Sequence, residues 1–530
     1  MDIITAVIVA ALGVLLFLYV KYHDRGIFSP PFIDGVPILN SNGGFPLGHL
    51  KKLVSSIDWR LESLLESFRD GKIGEVWQQS MPFIITVVTL NVEDVKHVLT
   101  NPDVFVKGED FRSKFHDLLG DGIFNSDGDT WRVQRKTASN IFNVKNFRDV
   151  YSDIIVSESK TLVAHLRKTR ENNAVVDLQD LLLRSTLDSF GEIAFGESLG
   201  CLDMDNGMIV GGRYMMKTSE FMNAFDAANN QVLLRFSNPF WQYTDHFTGH
   251  HRSMQDKMEV IDRFCHAIID KRLSGEKKSA ASKAGKMDLL DLFLAAAKED
   301  DTHLTYTELK DICLNFIIAG RDTTAQTLSW LCWNVAQHRE VERKIRAEIR
   351  RVVGDRDPTY EDFKNLKYCQ AVFNETLRLH ANVPGNRKTC IADQILPGTK
   401  TPIPKGTNVE FNAWAMGRLT SSWGPDCDVF RPERWMTDDG NLMRVDNFKW
   451  PVFNAGPRLC LGVNLATQEA VMFLAQVYKN FHLELVNEDD PSHWGLYDKD
   501  PSKRRGRYGL AVTLVMKGGV DFRVHDAEAF

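Results

Sequence analysis

Phe453-Asn454-Ala455-Gly456-Pro457-Arg458-Leu459-Cys460-Leu461-Gly462 holds a single thiol out of a turn. Gly456 and Gly462 allow a positive φ or the close approach of a flat group, Pro457 fixes the turn, and Phe453 offers the sulfur an apolar shield. Arg458 stands two residues before the sulfur, within reach of an anionic group. Val463 to Ala470 are helix-compatible, which places Cys460 at a helix N-terminus, where unpaired N–H groups and the dipole favour the thiolate. A buried free cysteine in a turn is the plain alternative. The five fixed positions F-x-x-G-x-R-x-C-x-G, however, recur by chance in a chain of this length with a probability on the order of 10⁻⁴. With no second Cys or His at ligand spacing nearby, zinc is disfavoured.

A lone axial thiolate suits haem iron, where it pushes electron density toward O–O cleavage. The segment resembles the cysteine loop of the cytochrome P-450 superfamily, the haem-thiolate monooxygenases. Further motifs follow in that family's order. Trp131 and Arg135, at i and i+4 on a helical pattern, share a face and place an indole N–H beside a guanidinium. The family's W-x-x-x-R stands here, which implies donors to a haem propionate. Thr305 to Glu308 is a capping box that opens a helix running to about Gln337, roughly 45 to 50 Å long. Inside it, Ala319-Gly320-Arg321-Asp322-Thr323-Thr324 matches A-G-x-D-T-T. Ala319 and Thr323 face the same way, and Thr323 can bond the i−4 carbonyl, opening a groove for O₂ and water. The resemblance implies a proton relay through Asp322 and Thr323.

Glu375 and Arg378 are spaced for an ion pair. They resemble the family's E-x-x-R, closed by an Arg in a later P-E-R, here Pro432-Glu433-Arg434; these residues are assigned to folding. Arg387, nine residues past Arg378, is where the resemblance implies a second propionate-binding Arg. Trp131, Arg135, Arg387 and Arg458 are therefore the expected propionate holders, with Cys460 as iron ligand and Phe453, Gly456 and Ala319 lining the cofactor. Haem b is expected to be held noncovalently, because the Glu that esterifies haem in animal fatty-acid ω-hydroxylases is Ala319 here. Asp117 to Phe124, read as a loop, together with Phe195-Gly196, Ala415-Met416-Gly417-Arg418 and Trp423-Gly424, resembles plant and fungal long-chain fatty-acid ω-hydroxylases. Ala381 departs from the Pro usual in relatives.

Composition agrees with this. The 530 residues, 43% hydrophobic, suffice for a large core, and a net charge of −6 argues against a nucleic-acid partner. Eight cysteines without paired spacing suit a reduced compartment. The uncharged run Ile3 to Val20, followed by Lys21 and Arg25, reads as an uncleaved transmembrane anchor with its C-terminal flank in the cytosol. The expected division is an anchor over 1–28, a Pro/Gly-rich hinge over 29–50 and a haem-thiolate domain over 51–530. That domain is expected to be mainly α with small β-sheets. Gly74 to Leu90 reads as short strands, 145–290 as long amphipathic helices broken by an irregular stretch from Phe236 to Phe247, and Ser274 to Lys286 as a solvated loop. The resemblance implies an enzyme of the endoplasmic reticulum membrane, with NADPH electrons from a reductase, O₂, and a lipid substrate oxidised at the ω position. A monooxygenase acting on a sterol, alkane or other lipid is the alternative, followed by a peroxide-rearranging relative and a non-enzymatic haem sensor or carrier.

Overall fold

The Thr305 hydroxyl accepts from the Glu308 amide while the Glu308 side chain accepts from the Thr305 amide, so the capping box starts the 32-residue Tyr306–Gln337 helix as expected. At 1.5 Å per residue it is about 48 Å long. Nearly every side chain from Leu309 to Val335 is buried, as befits a helix enclosed by a large core. The computed structural model describes residues 3–23, 25–39, 45–71, 73–274, 287–299, 304–496, 500 and 503–527. Gly43 and Gly44 of the hinge, and all but Ser274 of the loop expected over 274–286, lie outside the described residues.

The helices that build and support the site are α1 (Ile3–Tyr22), α2 (Glu109–Leu119), α3 (Gly128–Ser139), α4 (Leu178–Phe195), α5 (Glu220–Phe236), α6 (Tyr306–Gln337), α7 (Lys367–Leu379) and α8 (Val463–Asn480). The long α6 packs on α4, α7 and α8. At its centre a β-carbon added to Gly320 would lie 2.1 Å from the Phe190 ring of α4, so this glycine serves close helix packing. Two sequence readings change. Asp117 to Leu119 form the last turn of α2 rather than a loop, and Trp241–Phe247 is helical within the stretch read as irregular.

The first sheet has strands β1 (Val76–Met81), β2 (Ile84–Thr89), β3 (Phe105–Val106), β4 (Gly385–Cys390) and β5 (Asn408–Asn412), in the order β1-β2-β5-β4-β3. The β1–β2 hairpin matches the strands read over 74–90; Phe83 takes a positive φ of 66° at its turn. In the β4–β5 pairing Lys388 is opposite Val409 and Arg387 opposite Glu410, while Val106 on β3 is opposite Thr389. Successive strand residues point to opposite faces, so Lys388 shares the buried face with Val409 and Arg387 turns away from it. A second five-stranded sheet joins Phe481–Leu485, Asp521–Asp526, Val175–Asp177 and the hairpin Arg213–Met216 with Gly207–Val210.

The hinge segment lies against β1. Gln78 donates its side-chain amide to the carbonyls of Ile33 and Val36, and backbone bonds link Leu39 and Pro37 to Gln78. The transmembrane span expected at the N-terminus is not supported: among the described residues no helix is long and apolar enough to cross a membrane. The helix α1 runs from Ile3 to Tyr22, and its described apolar side chains lie between Val7 and Val20. They are nonetheless exposed on every face of α1.

Candidate active site

The cysteine loop is built as its residue types require. Gly456 has φ +61°, and a β-carbon there would lie 2.8 Å from the Leu99 carbonyl oxygen. The Phe453 carbonyl accepts from the Cys460 amide at 2.8 Å, folding the loop back on itself two residues before Gly462 caps α8. Phe453 is wedged between Phe373 and Trp450. Cys460 is the exposed one among eight free cysteines. Burial nevertheless pushes its thiol pKa up, while the Gly462 amide and Arg135 pull it back. A sulfur largely enclosed by protein but uncovered on one side meets both observations.

Three of the expected propionate holders meet. The Arg458 guanidinium lies 4.0 Å from the Trp131 ring centroid and Arg135 lies 5.9 Å from it. Arg458 donates to Asp127 at 2.8 Å and to the Ser126 carbonyl at 3.2 Å. Arg387 does not join them. It donates to Asp110 at 2.5 Å and sits 5.1 Å over Phe236. Its neighbour Lys388 takes the inward position, and strand alternation is the reason. Lys388 is 2% exposed, and its ammonium has no acceptor among the described residues. Burial holds its pKa well below the usual lysine value, with the cations of Lys107 and Arg458 adding to the effect. Lys107, one residue past β3, is pushed down to about 8 for the same first reason.

Lys107, Lys388 and Arg458 thus share one carboxylate, Asp127, and Arg135 adds a further cation beside Arg458. A buried cation without an acceptor is costly until an anion arrives, so this set fits a group that brings two carboxylates beside a thiolate-ligated metal, as haem does. Sequence reasoning missed Lys107 and Lys388; the signal was the alternation of β4, which a count of residues from Arg378 cannot register.

On α6, the otherwise buried middle is interrupted by half-exposed Ala319, Gly320 and Thr323, which share a face. The Thr323 hydroxyl donates to the Ala319 carbonyl at 2.7 Å, yet the helix stays unbroken, so the expected opening of the ladder is absent. The Thr323 carbonyl accepts from Asn382 at 2.7 Å and from Thr327 at 2.7 Å. Asn382 was not anticipated; it follows Ala381, and its amide also reaches Thr327 at 2.6 Å. Asp322 points away from Thr323, to Arg321 at 2.7 Å and Asn229 at 3.1 Å. Burial is the first cause that raises its pKa, to about 6, with Arg321 opposing. The buried Arg321 also holds Asp226, a half-exposed residue of α5, at 2.6 Å. Glu469 of α8 lies beside the hydroxyls of Thr324 and Ser189, joining the helix after Cys460 to the back of α6.

Behind the loop, Glu375 and Arg378 form a bidentate pair at 2.8 Å with neither side chain exposed. Glu375 also accepts from Arg434 Nε, Trp435 Nε1 and the Arg431 amide at 2.8–2.9 Å. Arg378 spends its remaining donors on the carbonyls of Gly417, Cys427 and Val429. Of the apolar residues near the site, Phe111, Phe115 and Phe236 cluster with ring centroids 4.7–5.7 Å apart, and Val383 is 40% exposed. Leu118 and Ile317 are fully buried behind them.

A family model described as cytochrome P450 matches residues 47–494. The cytochrome P450 monooxygenase cyp1 of Mycosarcoma maydis is 35% identical over 90% of this chain and 74% of its own length. Cytochrome P450 86B1 of Arabidopsis thaliana is 35% identical over 82% of this chain and 76% of its own. Cytochrome P450 94C1 of the same plant is 33% identical over 83% and 85%.

Proposed function

Because the chain belongs to the cytochrome P450 family, it is a haem-thiolate monooxygenase supplied with NADPH electrons by a reductase, and we propose that it hydroxylates long-chain fatty acids at or near the methyl end. The observation that carries the chemistry is the partly exposed Ala319 and Thr323 on one face of a helix that packs on α8, the helix Cys460 precedes. Haem, when bound, supplies the insertion of one oxygen atom from O₂ into a C–H bond. In this reading Cys460 would supply the thiolate ligand, and Trp131, Arg135, Lys107, Lys388 and Arg458 would hold the propionates. Gly456 and Phe453 shape the loop around the sulfur. Thr323 Oγ1 would pass a proton into the site, and Asp322, bonded here to Arg321 and Asn229, would replenish it by swinging toward Thr323.

Phe111, Phe115, Phe236 and Val383 support an acyl chain as substrate. Each buried methylene contributes roughly 0.8 kcal/mol, so long chains are selected over short ones. Terminal attack needs the methyl end to be held near the oxygen face. Residues 1–28 serve as a membrane anchor in this reading, 29–50 as a connector fastened on β1, and 51–530 as the catalytic body facing the cytosol from the endoplasmic reticulum. Exposed Val7 to Val20 of α1 support membrane attachment; deletion of 1–28 should move the protein from the membrane to the soluble fraction.

Three measurements test the reading. The reduced, carbon-monoxide-bound protein should show a strongly red-shifted Soret band that Cys460→His abolishes; retention of the band refutes the thiolate assignment. NADPH-dependent product formation with added reductase rules out peroxide rearrangement and a haem carrier. Fatty acids of graded length should give mainly terminal hydroxylation, with turnover rising to an optimum length. If a sterol shifts the haem band and turns over while fatty acids do neither, the substrate assignment is wrong.

A further inference from the structure

The cations around α2 fall into two kinds. Arg235 is buried with two carboxylates, Asp245 at 2.9 Å and Asp117 at 2.7 Å, and a third bond goes to the Lys114 carbonyl. Arg112 is paired with Asp121 at the surface. Lys114 and Arg387 instead share one carboxylate: Lys114 Nζ lies 2.7 Å from one Asp110 oxygen and Arg387 Nη2 lies 2.5 Å from the other. The Lys114 side chain is 1% exposed and that of Arg387 12%. Both charges lie over the same ring, Phe236, at 4.9 and 5.1 Å. The cluster has one positive charge in excess, set on the aromatic group that Phe236 forms with Phe111 and Phe115. Arg387 commits a single donor to Asp110, and no other acceptor bonds its guanidinium among the described residues. A planar fork with donors to spare is suited to a second carboxylate.

We propose that Arg387 and Lys114 form the recognition site for the carboxylate head of an acyl substrate, and that Asp110 is the resident anion with which this head competes. The proposal rests on the fatty-acid reading above. Its position fits the task. Arg387 lies five residues beyond Asn382, whose amide touches the Thr323 carbonyl. At about 3.3 Å per extended residue, the head site lies at most about 17 Å along the backbone from the oxygen face. The aromatic cluster adjoins the two cations through Phe236, and the 40% exposed Val383 lies between Asn382 and Arg387 in the chain. The same face of β4 that turns Arg387 away from the propionate cations turns it toward α2 and α5.

The test uses the full-length, haem-loaded protein and follows the haem absorption band during titration with a long-chain fatty acid, its methyl ester and the primary alcohol of equal length. The acid should bind about tenfold more tightly than the ester. Arg387→Gln should erase that preference and leave ester affinity and haem content unchanged. Asp110→Asn should tighten acid binding severalfold without affecting the ester; this variant serves where substitution of the buried Lys114 prevents folding. The proposal is overturned if Arg387→Gln keeps the acid preference, if it strips the haem, or if the wild type binds acid and ester alike. Equal binding of acid and ester refutes the head site alone. Failure of all three ligands to shift the band, with a sterol succeeding, refutes the fatty-acid reading and this proposal with it.

Discussion

Replacing Lys388 by Met keeps most of the side-chain volume and removes one charge from the set that Lys388 forms with Lys107, Arg135, Arg458 and Asp127. Its effects should have opposite signs in the two forms of the protein. Without haem, Lys388 is a buried cation with no acceptor among the described residues, next to other cations; removing it should stabilise the apoprotein or leave it unchanged. With haem, the same charge is one partner of a buried pair, and loss of one partner typically costs 3–5 kcal/mol. Three other cations share the anions, so the lower end applies. About 3 kcal/mol corresponds to roughly a hundredfold faster haem loss. Transfer of haem to an excess of an apo-globin scavenger reads the rate, and urea unfolding of the apoprotein reads the other sign. Arg387→Met should leave haem transfer within about twofold of wild type, because Arg387 serves Asp110. The pH dependence follows. Lys107 is held at about 8 and Lys388 also below the ordinary 10.5, so the unfolded chain binds more protons between those values and apoprotein stability rises with pH across that window. Carboxylates brought by haem restore the charged lysines, so binding takes up protons and haem affinity falls over the same window. Faster haem loss from Arg387→Met than from Lys388→Met would refute the strand-alternation argument.

Glu375→Gln leaves Arg378 and Arg434 without their shared charge in a fully buried network, and should cost about 3–5 kcal/mol, read as a lower denaturant midpoint; a change under about 0.5 kcal/mol contradicts the role assigned to the network. Asn382→Ala frees the Thr323 carbonyl and the Thr327 hydroxyl. At about 1 kcal/mol for a hydrogen bond, haem binding should survive while product per NADPH falls and peroxide rises; unchanged coupling means Asn382 does not position Thr323. Glu158 is pushed up to about 8, by burial first and then by Asp188, Glu192, Asp203 and Glu469. Its folded pKa is raised, so the stability it contributes is whole below pH 4.5 and is lost as pH rises through about 8. Glu158→Gln should therefore match wild type in acid and be more stable by a few kcal/mol above pH 8, at most about 1.4 per pH unit of the shift. Equal stability at pH 9 would show that the site relaxes or hydrates.

What was legible in the sequence was local. The Thr305 capping box, the Glu375–Arg378 spacing and the turn residues around Cys460 each act over three to ten positions, and each is realised in the structure. Relations set by register across strands were not legible. A count along the chain from Arg378 selects Arg387, yet a step of one residue in a strand reverses the face, and only the pairing of β4 with β3 and β5 shows that Lys388 turns inward beside Lys107. Gly320 shows the same limit in a helix. The opening expected from Thr323 does not occur, and the glycine beside it is set by Phe190 on another helix. The hairpin Gly207–Met216 was within reach, since Gly211-Gly212 between apolar runs is a turn signal, and both glycines have positive φ. Ala381 put the exit of α7 in question. There His380 stacks on Trp330 at 4.1 Å and Asn382 is bonded to Thr323 and Thr327. The rigidity that a proline would bring through its fixed φ is supplied here by side chains anchored on α6. A substitution that loosens Asn382 therefore acts on the oxygen face itself, and the coupling of Asn382→Ala measures how firmly α6 holds that segment.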